Sequence, residues 1–258
     1  MSIAPADTIN GLVKGLAVLE SFDTERQRLN ATQTAQRAGL TRAAARRHLL
    51  TLAHLGYLET DGSHFWLSPK VLRFSGAYLA SARLPRVIQP TLNRLASETQ
   101  DAYSAVVLDG DEVVIIARSA GASPASTTRL LAYGMHLGAR LPAHATSTGR
   151  VLLAALSKQA LNAWLAERTL PRLTPHTTTS LRAFKAVLAD TARQDYCVAS
   201  EEHEIGVHAV AVPLRDARGH VVAALNVIVT PDRLSQQAQL EAALRRLREA
   251  ARELRQML

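Results

Sequence analysis

Arginines are the residues of this 258-residue chain whose type and spacing first indicate a chemistry. Between residues 28 and 58 the sequence contains five arginines and no aspartate or glutamate. A guanidinium stays charged and binds a phosphate, or O6 and N7 of guanine, through two hydrogen bonds. Such a surface attracts a polyanion before any small ligand, although a solvated face that only keeps the domain soluble has the same composition. The five are Arg28, Arg37, Arg42, Arg46 and Arg47.

Two helices and a turn must position these arginines. Residues 32–38 are predicted to form a short helix, Gly39 a turn, and residues 41–55 a longer helix that Thr41 caps and Gly56 ends. At about 100° per residue, one face of the longer helix is apolar and packs, whereas the other is short or basic. The packing face contains Ala45, Leu49 and Leu52, and the other contains Ala43, Arg46, Arg47 and His54.

A predicted hairpin follows these helices. Residues 57–60 and 64–67 are typical of two short strands, and Asp61-Gly62 between them tolerates the positive φ of a tight turn. A helix-turn-helix followed by a hairpin is a winged helix. We therefore assign residues 1–68 to a winged helix-turn-helix DNA-binding domain, with residues 9–22 as its first helix.

The composition excludes several classes of protein. With 47% apolar residues the chain can bury a core and is long enough for two modest domains. The net charge of +8 favours an anionic partner, either nucleic acid or an acidic membrane surface. Cys197 is the single cysteine, which excludes an intramolecular disulfide and a cysteine-based metal site within one chain. Neither a membrane span nor a signal sequence is recognisable, so we expect a cytoplasmic protein with no membrane partner.

The pattern changes after the winged helix. Residues 69–80 predict a connecting helix that Leu84-Pro85 breaks, so residues 69–84 are assigned to a linker helix and residues 85–258 to a second domain. In that domain strands alternate with helices, which is typical of an α/β ligand-sensing module. Strands are expected at 103–108, 113–117, 129–133, 196–199, 207–212 and 221–229, and helices around 92–96 and at 146–156, 181–194 and 235–258.

The last predicted helix has two interpretations. Its leucines, which include Leu240, Leu244, Leu247 and Leu254, recur at helical spacing. Too few heptads are present for a dimerising coiled coil, so we expect this helix to pack back on the sheet.

The turn at residues 145–149 is the candidate ligand site of the second domain. A helix that starts there offers unpaired amides and a favourable dipole to a carboxylate. Ser147 and Thr148 add two hydroxyl groups. The alternative is that both residues only cap the helix.

Catalytic and metal-binding interpretations find no comparable support. Glu201, Glu202, His203 and His208 lack the tight spacing of zinc motifs, and chance polar residues in a loop explain them better. No nucleophile elbow, phosphate loop or dinucleotide fingerprint is present. We expect no catalytic residue, no metal and no cofactor.

Three separated blocks, taken together, resemble the IclR family of bacterial transcriptional regulators. They are residues 41–57, residues 140–154 and residues 201–213, in the right order and nearly end to end. Residues 40–49 most resemble the subgroup that regulates protocatechuate and 4-hydroxybenzoate catabolism through the β-ketoadipate pathway.

The resemblance implies an α+β fold and a ligand-responsive regulator. A winged helix-turn-helix would be joined by a linker helix to a GAF-like α/β domain, residues 85–258, for effector binding and oligomerisation. A homodimer or dimer of dimers would bind a promoter palindrome in double-stranded DNA, as an activator or a repressor, with RNA polymerase as a possible partner. Arg46 and Arg47 would contact bases or phosphates, Thr41 and Arg42 the backbone, and Ala43 and Ala44 thymine methyl groups. The complete DNA-binding set is Thr32, Gln33, Thr41, Arg42, Ala43, Ala44, Arg46, Arg47 and His64.

The family pocket implies a small carboxylic acid as effector. Apolar residues at 209 and 228 suit an aromatic ring such as that of 4-hydroxybenzoate or protocatechuate, whereas a short aliphatic oxoacid or β-ketoadipate is the alternative. Met135 and Leu137 would close the pocket, and Arg129 would either pair with the carboxylate or lie at the surface. The complete effector-binding set is Arg129, Met135, Leu137, Ser147, Thr148, Val207, Ala209, Asn226 and Ile228.

Two functions of other classes stay open from the sequence. The first is a small-molecule enzyme with an accessory DNA-binding domain, which would turn over the bound acid. The second is an architectural DNA protein without a ligand, whose binding would depend on salt but little on DNA sequence.

Overall fold

The structure is a computed structural model that describes residues 4–23, 25–119, 136–166, 168–229 and 237–258. The chain divides into two compact units, Met1–Tyr78 and Leu79–Leu258. Within the described ranges, no helix is long and apolar enough to cross a membrane.

The N-terminal unit is a winged helix, as predicted. A core of buried side chains joins its three helices to the two-stranded antiparallel wing. The buried members are Val18, Phe22, Leu29, Leu49, Leu58 and Phe65. The elements are α1 (Asn10–Leu19), α2 (Ala31–Ala38), α3 (Arg42–His54), β1 (Leu58–Thr60) and β2 (Phe65–Leu67).

Local capping fixes the two helices of the helix-turn-helix. Asn30 and Gln33 form a capping box at the start of α2, and Gly39 ends that helix at φ 64°, a conformation that glycine adopts without strain. The Thr41 hydroxyl accepts a hydrogen bond from the amide of Ala44 at 3.2 Å, which confirms the predicted N-cap of α3. Ala45 of α3 is fully buried, so the predicted packing face of this helix is correct.

The predicted break of the linker helix at Leu84-Pro85 is partly wrong. Helix α4 (Leu72–Ser81) ends before Ala82, which is extended. Helix α5 (Arg83–Thr99), however, starts before Pro85 and continues through Pro90. Pro85 lies in the first turn, where an amide has no helical partner in any case, so it does not break the helix.

A six-stranded antiparallel sheet forms the centre of the C-terminal unit. The strand order is β5-β4-β3-β8-β7-β6, and β3 and β4, which correspond to the strands predicted at 103–108 and 113–117, form a hairpin. The strand predicted at 129–133 lies outside the described residues, and β5 was not predicted. The strands are β3 (Ala102–Asp109), β4 (Glu112–Arg118), β5 (Arg140–Pro142), β6 (Cys197–Ser200), β7 (His208–Arg215) and β8 (Val221–Val229).

Helices cover both faces of this sheet. On one face, Ile88 and Leu92 of α5 and Leu244 and Leu247 of the last helix pack in one cluster. The last helix therefore packs on the sheet, as expected, and not in a coiled-coil stripe. On the other face, three helices share a second cluster with the sheet. These three are α6 (Ser147–Ala154), α7 (Lys158–Ala166) and α8 (Leu181–Gln194), and the last helix is α9 (Gln237–Arg255).

Helix α6 approaches the turn before it so closely that only glycine fits at residue 149. A Cβ on Gly149 would lie 2.1 Å from the carbonyl oxygen of Ala143. This distance is much shorter than a van der Waals contact, so a side chain at residue 149 would require the backbone to move. The close approach holds the N-terminus of α6 against the 3₁₀ turn Ala143–Ala145.

Candidate functional site

A cavity lies in the C-terminal unit between the sheet and the N-terminus of α6. About 510 Å³ between its lining atoms is free of protein, part of it open to solvent. Its walls are mostly apolar, with polar groups concentrated at α6 and at the loop after β6. The lining residues are Ser104, Val106, Ile115, Leu141, Ala145, Thr146, Ser147, Thr148, Ala199, Glu202, His203, Val207, Ala209, Asn226 and Ile228.

The structure brings together most of the residues predicted to bind the effector. Leu137 is 41% exposed and is not a lining residue. Arg129 and Met135 lie outside the described residues. Six predicted residues do line the cavity, namely Ser147, Thr148, Val207, Ala209, Asn226 and Ile228.

The N-terminus of α6 provides one polar end of the cavity. Thr146 caps the helix, because its hydroxyl accepts a hydrogen bond from the Gly149 amide at 3.1 Å. Ser147 and Thr148 are therefore not the capping residues, which answers the alternative left open by the sequence. Both are buried, and within the described residues neither hydroxyl is hydrogen-bonded. Two hydroxyls without hydrogen-bond partners and the positive end of a helix are suited to bind a carboxylate.

A buried ion pair ties α6 to the loop between β6 and β7. Arg150, which is 2% exposed, donates two hydrogen bonds to the carboxylate of Glu202. Its Nε also donates to the His144 carbonyl at 2.9 Å, and the Thr178 amide donates to Glu202 Oε2 at 2.9 Å. Burial alone would raise the pKa of Glu202, but the hydrogen bonds and charge of Arg150 outweigh it and hold this pKa below its ordinary value. The loop is thereby fixed beside the cavity.

His203 is a lining residue that sequence reasoning dismissed. Its Nδ1 atom is buried and has no hydrogen-bond partner. Burial, together with the nearby His144, lowers the pKa of the imidazole. In the described part of the chain no acidic, histidine and cysteine side chains form a group that could hold a metal ion. The one signal for His203 in the sequence was its position next to Glu202 in a family block.

Ser104 and Asn226 form a polar pair on the sheet wall. They are register partners on β3 and β8, and the Ser104 hydroxyl donates to Asn226 Oδ1. Ser104 was not predicted, because the strand register that places it beside Asn226 is not readable from either strand alone.

The arginines of α3 form the second candidate site, in the N-terminal unit. Arg42, Arg46 and Arg47 are exposed, and none of their guanidinium groups has a hydrogen bond or ion pair with a described residue. Arg28, in contrast, stacks over Trp66 at 4.1 Å, and Arg37 is paired with a carboxylate. The remaining predicted DNA-binding residues lie on α2, on α3 and in the wing: Thr32, Gln33, Thr41 and Ala43 are exposed, and Ala44 and His64 are partly buried.

Comparison with known proteins covers both units. Residues 11–62 match the IclR helix-turn-helix domain family, and residues 76–256 match the family described as bacterial transcriptional regulator IclR C-terminal. The chain is 50% identical over 252 residues to the Pca operon regulatory protein of Acinetobacter baylyi, which covers 98% of this chain and 90% of that protein. It is 49% identical over 256 residues to the p-hydroxybenzoate hydroxylase transcriptional activator of the same organism. This match covers 99% of this chain and 94% of that protein.

A solved structure resembles the C-terminal unit. It is the inducer-binding domain of a double mutant of the PobR transcription factor from Acinetobacter, in complex with 3-hydroxybenzoic acid. Its sequence is 45% identical, its TM-score is 0.63, and the match covers 69% of this chain and all of that one.

The buried ion pair generates a stability prediction. Arg150→Met leaves the Glu202 carboxylate buried without its cation, so we expect the free energy of unfolding to fall by about 3 to 5 kcal/mol. Urea denaturation followed by tryptophan fluorescence measures it. Arg193→Met, which breaks the exposed pair with Asp190, is the matched control and is expected to change stability much less.

The same pair has a defined pH dependence. Because folding lowers the pKa of Glu202 from 4.5, its stabilisation is fully present above pH 4.5 and is lost as the pH falls through the folded pKa. The difference in unfolding free energy between wild type and Glu202→Gln should therefore narrow on acidification. A difference that stays constant from pH 7 to pH 3 would contradict the assignment.

Proposed function

Since this chain belongs to the IclR family of bacterial transcriptional regulators, we propose that it controls an operon for aromatic-acid catabolism by binding a promoter palindrome and sensing a small aromatic carboxylic acid. The observation that carries the proposal is the cavity, which has a helix N-terminus at one end and mostly apolar walls. The relatives, named for the Pca operon and for p-hydroxybenzoate hydroxylase, agree with the subgroup that the sequence resembled. They favour a regulator over an enzyme with an accessory DNA-binding domain.

The effector whose chemical groups match the cavity lining is 4-hydroxybenzoate or protocatechuate. Its carboxylate binds at the N-terminus of α6, with the hydroxyls of Ser147 and Thr148 as donors. The ring packs against the apolar walls, which include Val106, Ile115 and Ile228. A short oxoacid would leave these walls without contacts, so an aromatic acid gains more apolar burial.

The DNA-binding surface is the exposed face of α3. Arg46 and Arg47 contact base edges or phosphates, because both guanidinium groups are free of described protein partners. Arg42 contacts the phosphate backbone near the start of the helix. The methyl groups of Ala43 and Ala44 contact thymine. Since it works on bacterial DNA, we place the protein in the cytoplasm.

A second copy of the chain is the partner that reads the other half of the palindrome. Ile9, Leu12, Val13 and Leu16 are all at least 50% exposed and recur at the spacing of one helix face along α1. An exposed apolar stripe of this kind is typical of an interface. Pairing of two chains through α1 presents two copies of α3 to successive segments of the major groove. We propose in addition that two such dimers associate on DNA and that the protein contacts RNA polymerase.

The effector is tested by thermal unfolding of the protein with 4-hydroxybenzoate, protocatechuate, β-ketoadipate, pyruvate and glyoxylate. A ligand at 100 times its dissociation constant adds about 2.7 kcal/mol, which corresponds to a rise in Tm of about 5 to 10 °C. We expect this rise with one or both aromatic acids. Ser147→Ala should weaken the binding by about 2- to 10-fold, whereas Ser75→Ala, at an exposed site on α4, should not. A rise with only pyruvate or glyoxylate would assign the cavity to an oxoacid.

The DNA surface is tested with Arg47→Ala. If Arg47 reads a base, its loss weakens binding to the promoter site by about 1 to 3 kcal/mol and relaxes sequence preference at that position. Arg182→Ala removes an equally exposed charge from α8 in the other unit and is the matched control. Footprinting and affinity at one fixed salt concentration are the measurements. An unchanged footprint in Arg47→Ala would refute the role of this residue.

The pairing through α1 is tested with Leu16→Glu. A carboxylate in an apolar interface is strongly unfavourable, so the variant should lose its preference for a full palindrome over one half-site. Analytical ultracentrifugation reports the accompanying change in mass. Leu173→Glu, at a leucine 41% exposed in the C-terminal unit, is the control. Wild-type mass together with wild-type palindrome preference in Leu16→Glu would exclude this interface.

A further inference from the structure

The imidazole of His203 is a polar group of the cavity wall that has a nitrogen without a hydrogen-bond partner in the described part of the chain. Its Nδ1 atom is buried and has no hydrogen-bond partner. Buried polar atoms in native proteins are almost always paired, so each exception has a reason, such as a ligand. His203 lines the cavity itself, so a bound molecule is within reach of its ring.

The loop that carries His203 is fixed on both sides of the residue. Glu202 is held by Arg150, and its backbone carbonyl accepts a hydrogen bond from the Thr177 hydroxyl at 2.7 Å. The Glu201 carboxylate accepts a hydrogen bond from the Gly206 amide at 2.8 Å. These contacts set the backbone without the imidazole. The structure of the loop therefore does not depend on a hydrogen bond from the imidazole.

The charge state of His203 selects among the groups of a hydroxylated benzoate. Burial and the nearby His144 lower the pKa of the imidazole, so it is neutral near pH 7. A neutral imidazole has one N–H donor and one acceptor nitrogen. A phenolic hydroxyl also donates and accepts one hydrogen bond each, whereas an ionised carboxylate only accepts. The carboxylate already has a better site at the N-terminus of α6.

The polar pair of Ser104 and Asn226 on the sheet wall is less available to a ligand. The Ser104 hydroxyl donates to Asn226 Oδ1, so this pair uses part of its hydrogen-bonding capacity on itself. The imidazole does not share this constraint at Nδ1.

We propose that His203 binds the ring hydroxyl of the effector through Nδ1 and thereby selects hydroxylated benzoates over benzoate. The inference rests on the proposed function, because it concerns the same cavity. Binding satisfies the buried nitrogen, while benzoate leaves it unpaired. Selectivity for the hydroxyl group then comes from one residue of the loop rather than from the carboxylate site.

The test compares the affinities of 4-hydroxybenzoate, 3-hydroxybenzoate and benzoate by titration calorimetry on the full chain. The wild type should prefer one hydroxybenzoate over benzoate by about 10- to 100-fold. His203→Leu removes the hydrogen bond at similar volume, so it should bind benzoate within about 3-fold of wild type and lose the preference. His203→Asn keeps an amide near the position of Nδ1 and should retain part of it.

Each outcome has one meaning. An unchanged preference in His203→Leu overturns the inference and leaves the proposed function intact. Equal weakening of all three acids also overturns it, because His203 would then act on the carboxylate or on the fold. If the wild type binds none of the acids, the proposed function fails together with the inference. Should His203→Leu fail to fold, His203→Asn and His203→Gln decide, because only asparagine reaches the position of Nδ1.

Discussion

The hydrogen-bonded ion pair of Arg150 and Glu202 is the contact on which the geometry of the C-terminal unit depends. The guanidinium is almost fully withdrawn from water, so it needs partners for its donors, and it finds them on two segments. Two donors reach Glu202, and Nε reaches the backbone of the turn before α6. The Glu202 carboxylate in turn accepts a hydrogen bond from the backbone amide of Thr178. One side chain of α6 therefore fixes the positions of the turn and of two loops.

A charged pair achieves here what an apolar contact cannot. Apolar contacts are non-directional, so Leu or Met at residue 150 would fill the space without fixing the angle of α6 to the loop. The two parallel hydrogen bonds of an arginine and a carboxylate fix distance and orientation together. Gly149 adds a steric limit, since it brings α6 against the backbone of Ala143. The cavity lies between walls whose relative position is set by these two constraints, which suits a site that must recognise one small molecule.

Sequence reasoning succeeded where the determining interactions are local. The Thr41 cap and the turn at Gly39 act within one turn of helix, so residue types alone identify them, whereas the capping box at Asn30 was not predicted. It failed at Pro85, because a proline in the first turn of a helix looks the same in sequence as one that ends a helix.

The cavity shows the same limit. Ser147 was found from the predicted helix N-terminus and Asn226 through a family resemblance, whereas Ser104 and Ile115 depend on strand register and on packing between distant segments. His203 was dismissed on metal-ligand spacing, a local criterion that says nothing about a nitrogen buried by tertiary structure.

The charge of a surface likewise depends on residues that are distant in sequence but close in the fold. The stretch from 28 to 58 contains no carboxylate, yet Asp23 pairs with Arg37 and Asp61 lies 3.9 Å from Arg28, both from outside it. Three arginines, all on α3, are left without a carboxylate partner among the described residues. Because their charge is concentrated on the second helix of the helix-turn-helix, this surface favours binding in a DNA groove over non-specific attraction to a polyanion.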